Sequence, residues 1–146
     1  MTDVFTPIKR SMIMSRIRSR DTTPERRVRD VMHSLRFKFR EYESSLPGKP
    51  DIALTRRKIA LFVHGCFWHQ HRGCSRQFLP KSNRNYWIPK LERNVARYKE
   101  VRSSLRKMGW QDIVIWECKT KDREKLREEL MSTIRGMGDR RTKYGI

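Results

Sequence analysis

Several things are scarce in this 146-residue chain, and each scarcity excludes something. Only three cysteines are present, an odd number that cannot pair completely within one chain. A disulfide framework is therefore excluded, and in a reducing compartment the thiolates are expected to go to a metal, zinc by preference. No apolar run approaches the roughly 20 residues needed to span a bilayer, and Met1 to Arg20 lacks the central apolar block of a secretory signal. The expectation is a soluble, intracellular protein with no membrane partner. Acidic residues are also few, sixteen against thirty-five Lys and Arg, for a net charge of +19. Arginine dominates that excess, which favours planar, bidentate contact with phosphate and makes nucleic acid the leading partner. A free polycation of this density repels itself, so part of it is expected to be ordered only against a polyanion.

The length fits one domain, and no internal repeat divides it. Residues 1–21 read as a mobile basic arm: Lys9, Arg10, Arg16, Arg18 and Arg20 surround a thin apolar stripe of Met12, Ile13, Met14 and Ile17, too little burial to hold a helix without a partner. The expected globular unit runs from 22 to 135. Thr23-Pro24-Glu25 predicts a helix start with Thr23 as N-cap, and Val28, Val31, Met32 and Leu35 give that helix its buried face. Phe37, Phe39 and Glu41 alternate with Arg36, Lys38 and Arg40, which predicts a strand with one wet face. After the turn Leu46-Pro47-Gly48-Lys49-Pro50, the segments 51–54 and 59–63 read as a hairpin, the second apolar enough to lie centrally in a sheet.

Leu91, Val95, Tyr98, Val101, Leu105 and Met108 recur at helical spacing up to a stop at Gly109. A strand is predicted from Trp110 to Glu117 by its Ile113 to Trp116 core. Lys121 to about Arg135 then reads as a last amphipathic helix through Leu126, Leu130 and Ile134, and 136–146 as a basic tail. This order predicts an α/β protein, a mixed sheet flanked by helices.

The segment Val63-His64-Gly65-Cys66-Phe67-Trp68-His69-Gln70-His71-Arg72-Gly73-Cys74 concentrates three of four histidines and two of three cysteines. Cys66, His71 and Cys74 have chelating spacing, and Cys118, just past a predicted strand, supplies a fourth ligand for a closed tetrahedral structural site. His69 competes with His71 for the ligand role, because Cys66-x2-His69 also chelates well. With an extended local backbone the two imidazoles point to the same side. Asp51 at a strand start, His64 at a strand end and Glu25 in a first helical turn form a second constellation. An Asp aided by a backbone carbonyl and waters can hold Mg²⁺ against a phosphodiester, and a histidine of near-neutral pKa can activate water or protonate the leaving oxygen.

Pro50-Asp51, then Phe62-Val63-His64-Gly65-Cys66-Phe67-Trp68-His69, then Trp116-Glu117-Cys118 resemble the very short patch repair endonucleases, bacterial DNA mismatch endonucleases of the Vsr type. The likeness extends from Arg10-Ser11 and Arg20-Asp21-Thr22 through Leu46-Pro47-Gly48 to Arg123-Glu124-Lys125-Leu126. It implies a restriction-endonuclease-like fold and Mg²⁺-dependent nicking of one strand, 5′ to the thymine of a T:G mismatch left by deamination of 5-methylcytosine. By the same resemblance Asp51 holds Mg²⁺ with the carbonyl of Val63, His64 and His69 assist at the phosphate and the attacking water, and Glu25 anchors metal-bound water. Zinc falls to Cys66, His71, Cys74 and Cys118, which leaves His69 for catalysis.

The chain departs from the family pattern by one extra residue between His71 and Cys74. It also carries Tyr98, in Asn94-Val95-Ala96-Arg97-Tyr98, where the family usually places an Asp. Phe67, Trp68 and His69 on a metal-stiffened loop are expected to intercalate at the mismatch, where poor pairing makes unstacking cheap. Met14 of the arm is the candidate opposing wedge from the minor groove. Lys90 and Asn94, one turn apart on a helix, are candidates for base edges or phosphates.

A bacterial, cytoplasmic and nucleoid-associated enzyme follows from the family. A monomer suffices for one site cutting one strand, and contact with general mismatch-repair proteins is an expectation by analogy. A non-catalytic zinc module that binds damaged nucleic acid is the competing reading. It accounts for the charge, the Cys/His loop and the aromatics, but gives Asp51 and His64 nothing to do.

Overall fold

In the computed structural model, which describes residues 21–75 and 77–143, with side chains to Met137, the first helix is capped by Thr22 and not by the expected Thr23. The Thr22 hydroxyl accepts from the Glu25 N–H at 3.4 Å, and the Glu25 carboxylate accepts from the Thr22 N–H at 3.0 Å. Only a residue three positions before the acid can form this reciprocal box, which puts Thr23 inside the helix with Pro24 in the first turn. Helix α1 (Thr23–Ser34) buries Val28, Val31 and Met32, with Leu35 partly buried beyond its end.

The alternating segment 36–41 contributes only β1 (Arg40–Glu41) to the sheet. Arg36 takes a left-handed conformation, φ 61°, and Phe37 N–H still donates to Met32 O at 3.4 Å. These residues therefore reverse the chain out of the helix, while Phe37 and Phe39 pack against the core from outside the ladder. The expected hairpin is present: β2 (Ile52–Leu54) pairs antiparallel with β3 (Ile59–His64), Leu54 opposite Ile59. Strand β1 lies antiparallel on the far side of β2, with Arg40 opposite Ala53.

Strand β4 (Gln111–Trp116) runs parallel to β3 from the pair Ile59/Gln111 to the pair His64/Trp116. A parallel neighbour requires a crossover, and helix α2 (Arg84–Lys107) provides it. This helix begins earlier than the apolar spacing indicates and carries Pro89 within it. It stops where expected, with Met108 as C-cap and Gly109 at φ 83°, although Met108 is exposed and does not join the buried face. A short 3₁₀ turn (Glu117–Thr120) leads to α3 (Arg123–Lys143). That helix continues past Arg135, where a tail was expected, because Met137 extends the stripe of Leu126, Leu130 and Ile134 onto the core.

The strand order β1-β2-β3-β4 gives a mixed four-stranded sheet between two helical layers. Ile59 and Leu61 of β3 with Ile113 and Ile115 of β4 pack with α1 and α3, whereas Ala60 and Phe62 pack with Leu105, Tyr98 and Val101 of α2. The two-residue period of a strand thus feeds two cores at once. It also places His64 at the C-terminal end of β3 on the α2 side, beside its register partner Trp116. The arm at residues 1–20, and Met14 with it, lies outside the described residues. Among the described residues no helix is long and apolar enough to cross a membrane.

Candidate active site and metal centre

The β2–β3 ladder ends at Ile52/Leu61, and the next inward N–H, that of Val63, donates instead to the Asp51 carboxylate at 2.7 Å. One side chain therefore closes the ladder and faces a cleft of about 470 Å³ that Val63, His64, His69 and Glu25 also line. Glu25 reaches the same place from the first turn of α1 and is buried. Burial, and after it the Glu25 carboxyl beside it, push the Asp51 pKa up to about 7 against the opposing pull of the Val63 N–H. Tyr42 bonds to both residues, though to only one of the acid groups: its N–H donates to the main-chain carbonyl of Asp51 at 3.1 Å and its hydroxyl to Glu25 Oε2 at 3.0 Å.

His64 and His69 stack face to face in this cleft, ring centroids 3.7 Å apart and planes within 8°. Burial lowers the pKa of His64 to about 3, with help from His69, and that of His69 to about 4. Both rings are therefore neutral at pH 7, well below the near-neutral value expected from sequence. Each keeps one ring N–H and one bare nitrogen, with no imidazolium to serve as a general acid towards a leaving oxygen. Tyr98 packs edge-on against His64 at 4.5 Å, and its hydroxyl donates to Asp112 Oδ2 at 2.5 Å. Asp112 in turn pairs with Arg102 and Arg106 at 3.4 and 3.6 Å. The aromatic residue at the family's Asp position thus buttresses an imidazole by shape while passing its own hydrogen bond to an acid of β4. The Nδ1 of His69 is buried without a protein partner among the described residues.

The ligand atoms of Cys66, His71, Cys74 and Cys118 all lie within 4.8 Å of one another. His71 Nδ1 faces Cys66 Sγ at 3.7 Å and Cys118 Sγ at 3.5 Å. These separations fit the edges of a tetrahedron with ligand bonds of about 2.0–2.3 Å, so the donor set can hold a metal ion. Without one, burial pushes the Cys66 thiol up to about 12. The extended backbone that would send His69 and His71 to one side is not what forms. His69 N–H returns to Gly65 O at 3.1 Å, His71 N–H to Cys66 O at 2.9 Å, and Gln70 between them is left-handed at φ 50°. The two rings consequently part: His69 joins His64, while His71 stacks on Trp116 at 4.1 Å among the sulfurs. Gly73, at φ 78°, takes the left-handed turn just before Cys74.

Trp116 is shared between the two centres, since the same indole meets His64 edge-on at 5.3 Å. Glu117 ties the metal loop to the strand end by accepting from the Cys66 N–H at 3.3 Å. Phe67 and Trp68 are half-buried, neither sealed in the core nor fully projecting. Phe67 lies 4.9 Å from the exposed Phe78, and both Phe67 and Trp68 meet Trp87 of α2. Lys90 Nζ sits 5.7 Å over the Trp68 ring, and Asn94 Nδ2 donates to Trp68 O at 3.3 Å. In this structure Asn94 and Lys90 therefore brace the aromatic loop.

The sequence pointed to Asp51, Glu25, His64 and His69, which line one cleft, and to Cys66, His71, Cys74 and Cys118, which cluster closely enough to hold a metal ion. It assigned no part to Tyr42, Asp112 or Trp116. Period-two spacing from Ile113 and Ile115 places Asp112 and Trp116 on the opposite face of β4, but no local signal marks Tyr42.

Residues 2–76 match the family model described as DNA mismatch endonuclease Vsr. The chain is 42% identical to the type II nicking enzyme V.XorIIP of Xanthomonas oryzae pv. oryzae, over 92% of this chain and 98% of that one. It is 40% identical to the type II nicking enzyme V.NmeAIP of Neisseria meningitidis, over 95% and 99% of the respective chains. With the DNA mismatch endonuclease Vsr of Escherichia coli it shares 36% identity over 90% of this chain and 84% of the other. An acid pair, a histidine stack and a Cys/His cluster on a mixed sheet, with likeness of this extent, identify the chain as a DNA endonuclease belonging to the Vsr family of DNA mismatch endonucleases.

Proposed function

We propose that this protein is a Mg²⁺-dependent mismatch endonuclease that nicks one strand 5′ to the thymine of a T:G pair arising from deaminated 5-methylcytosine, and so initiates very short patch repair. The observation that carries this reading is the meeting of the Asp51/Glu25 pair with the His64/His69 stack in a single cleft. Two carboxyls crowded together, one with a pKa raised to about 7, fit a cation that would relieve their repulsion. Asp51 and the Val63 carbonyl would hold Mg²⁺ directly, with Glu25 acting through bound water. When bound, Mg²⁺ polarises the scissile phosphate and offsets the charge that develops on it.

The remaining chemistry belongs to the side chains. One of the neutral imidazoles of His64 and His69 accepts the proton of the attacking water while the other assists at the phosphate; the water oxygen bonds to phosphorus as the P–O bond opposite breaks, and the leaving oxygen is protonated from solvent. Tyr98 and Trp116 hold the His64 ring on its edge so that the stack keeps its direction. Zn²⁺ on Cys66, His71, Cys74 and Cys118 is structural in this reading. It stiffens the loop on which Phe67 and Trp68 enter the base stack next to His69, with Lys90 and Asn94 bracing that wedge from α2 and Met14 entering from the minor groove. Residues 1–21 act as a basic arm around the duplex and the C-terminal residues from 136 as a further basic contact. The enzyme works as a cytoplasmic, nucleoid-associated monomer and meets general mismatch-repair proteins at the nick.

The test compares wild type and Asp51→Ala on T:G and fully matched duplexes, with Mg²⁺ or with chelator. Nicking confined to the T:G duplex with Mg²⁺, and lost in the variant while duplex binding persists, is the expected result. Undiminished Mg²⁺-dependent cleavage by the variant would refute the assignment. Binding with no cleavage by wild type would favour a non-catalytic module, and equal cleavage of matched duplex a restriction-like nuclease.

A further inference from the structure

Tyr42 stands where the proposed metal site, the first helix and the end of the arm converge. It is a bulky aromatic residue in the left-handed region, φ 50°, a conformation that is uncommon and costs energy unless its surroundings demand it. Here the demand is visible. The backbone N–H reaches Asp51 O at 3.1 Å, while the ring leaves in the other direction towards α1.

Hydrogen-bond accounting then fixes the hydroxyl. The Asp21 N–H at 2.6 Å and Arg29 Nη1 at 2.9 Å can only donate, so both occupy the phenol's lone pairs. The single phenolic proton is left for Glu25 Oε2 at 3.0 Å. That oxygen also accepts the Thr22 N–H at 3.0 Å, so two donors hold the Glu25 carboxylate. Arg29 is itself held by ion pairs to Asp21 and Glu41, so the donor that orients the phenol cannot swing away freely.

We propose that Tyr42 is a positioning residue for the acid pair: its hydroxyl fixes the orientation of the Glu25 carboxylate and its N–H anchors the main-chain carbonyl of Asp51, so that one residue ties the side chain of one acid to the backbone that carries the other. The proposal rests on the metal-site reading given above. It gives the Asp21–Arg29 pair a purpose as well, since those side chains transmit the placement of α1's entry to the cleft through one phenol.

Tyr42→Phe deletes the hydroxyl and retains the ring, the turn and the backbone bond to Asp51. Two measurements read it: the Mg²⁺ concentration giving half-maximal nicking, and the Mn²⁺ concentration giving half the thermal shift of the DNA-free, zinc-loaded protein. Outer-sphere partners of metal ligands commonly alter affinity by 10–100-fold. A rise of roughly tenfold in both midpoints is expected, with the saturated nicking rate within about threefold of wild type. A merely structural role would lower the melting temperature and leave both midpoints in place, and that result overturns the proposal.

Arg29→Leu removes one of the donors that orient the phenol and should move both midpoints in the same direction by a smaller factor. It keeps the idea testable if Tyr42→Phe does not fold, and unmoved midpoints in Arg29→Leu would then count against it. Glu25→Gln separates the two levels of inference. If Glu25→Gln shifts the midpoints and Tyr42→Phe does not, the positioning role alone fails. If neither shifts them, the metal-site reading fails with it.

Discussion

A carboxylic acid that folding holds at a pKa of about 7, against an ordinary 3.8, destabilises the metal-free protein as the pH rises. The folded state binds the proton more tightly than the unfolded state, so the contribution of Asp51 is fully present below about 3.8 and lost as the pH passes through about 7. His64 and His69 have the opposite sign. Their folded pKa values of about 3 and about 4 lie under the ordinary 6.5, so their contribution is present above that value and lost as the pH falls through the folded ones. Asp51→Asn removes only the first effect. In Mg²⁺-free buffer without chelator it should stabilise the protein at pH 8 by on the order of 2 kcal/mol, roughly 4–8 °C in Tm, with the gain fading towards pH 4. Thermal melts across that range check this, and equal Tm values at pH 8 would remove the electrostatic account of the acid pair. That cost is the one expected if the acid pair is a cation site.

Among the elements, the segment from Gly65 to Asn83 has little regular structure and only one fully buried apolar residue, Cys66, among its described members. Its order comes from the four clustered ligands, from Trp116 stacked on His71, and from the Cys66 N–H bonded to Glu117. Metal binding at such a site can contribute on the order of 10 kcal/mol. Cys118→Ser, or stripping the wild type with a strong chelator, is therefore expected to lower Tm by at least about 10 °C. It should also red-shift tryptophan emission as Trp68, Trp87 and Trp116 lose their neighbours, with far-UV helicity largely kept because α1, α3 and the sheet have their own core. An unchanged melt after verified metal loss would contradict the structural assignment. The turn at Gly48 illustrates the same dependence on close approach: φ is 76°, and a Cβ there would stand 2.5 Å from Val101 Cγ1 of α2.

For the whole molecule, +19 on 146 residues makes the duplex the natural counter-charge. If contact neutralises roughly 6–10 phosphates, log K against log salt should fall with a slope of about −5 to −9. The slope should be similar for matched and mismatched duplexes, because phosphate contacts position and do not discriminate. Binding titrations from low to moderate salt measure it. A slope near zero would mean that the charge serves something other than DNA.

The sequence by itself determined the layers and the family. Strict periodicities placed α1, the hairpin, α2 and β4, and chelating spacing together with a family likeness named the acids, histidines and cysteines. Those signals are local or carried by motif, so they survive without coordinates. Only the tertiary structure decided that Thr22 caps α1, that 36–39 turn instead of extending, that α3 outruns Arg135, and that His69 and His71 part across a left-handed Gln70. It alone put Tyr42 between the Glu25 carboxylate and the Asp51 backbone, and Trp116 between His64 and His71. Such placements depend on contacts between residues far apart in the chain and on the hydrogen bonds left over after the ladders close, neither of which leaves a period or a spacing to read.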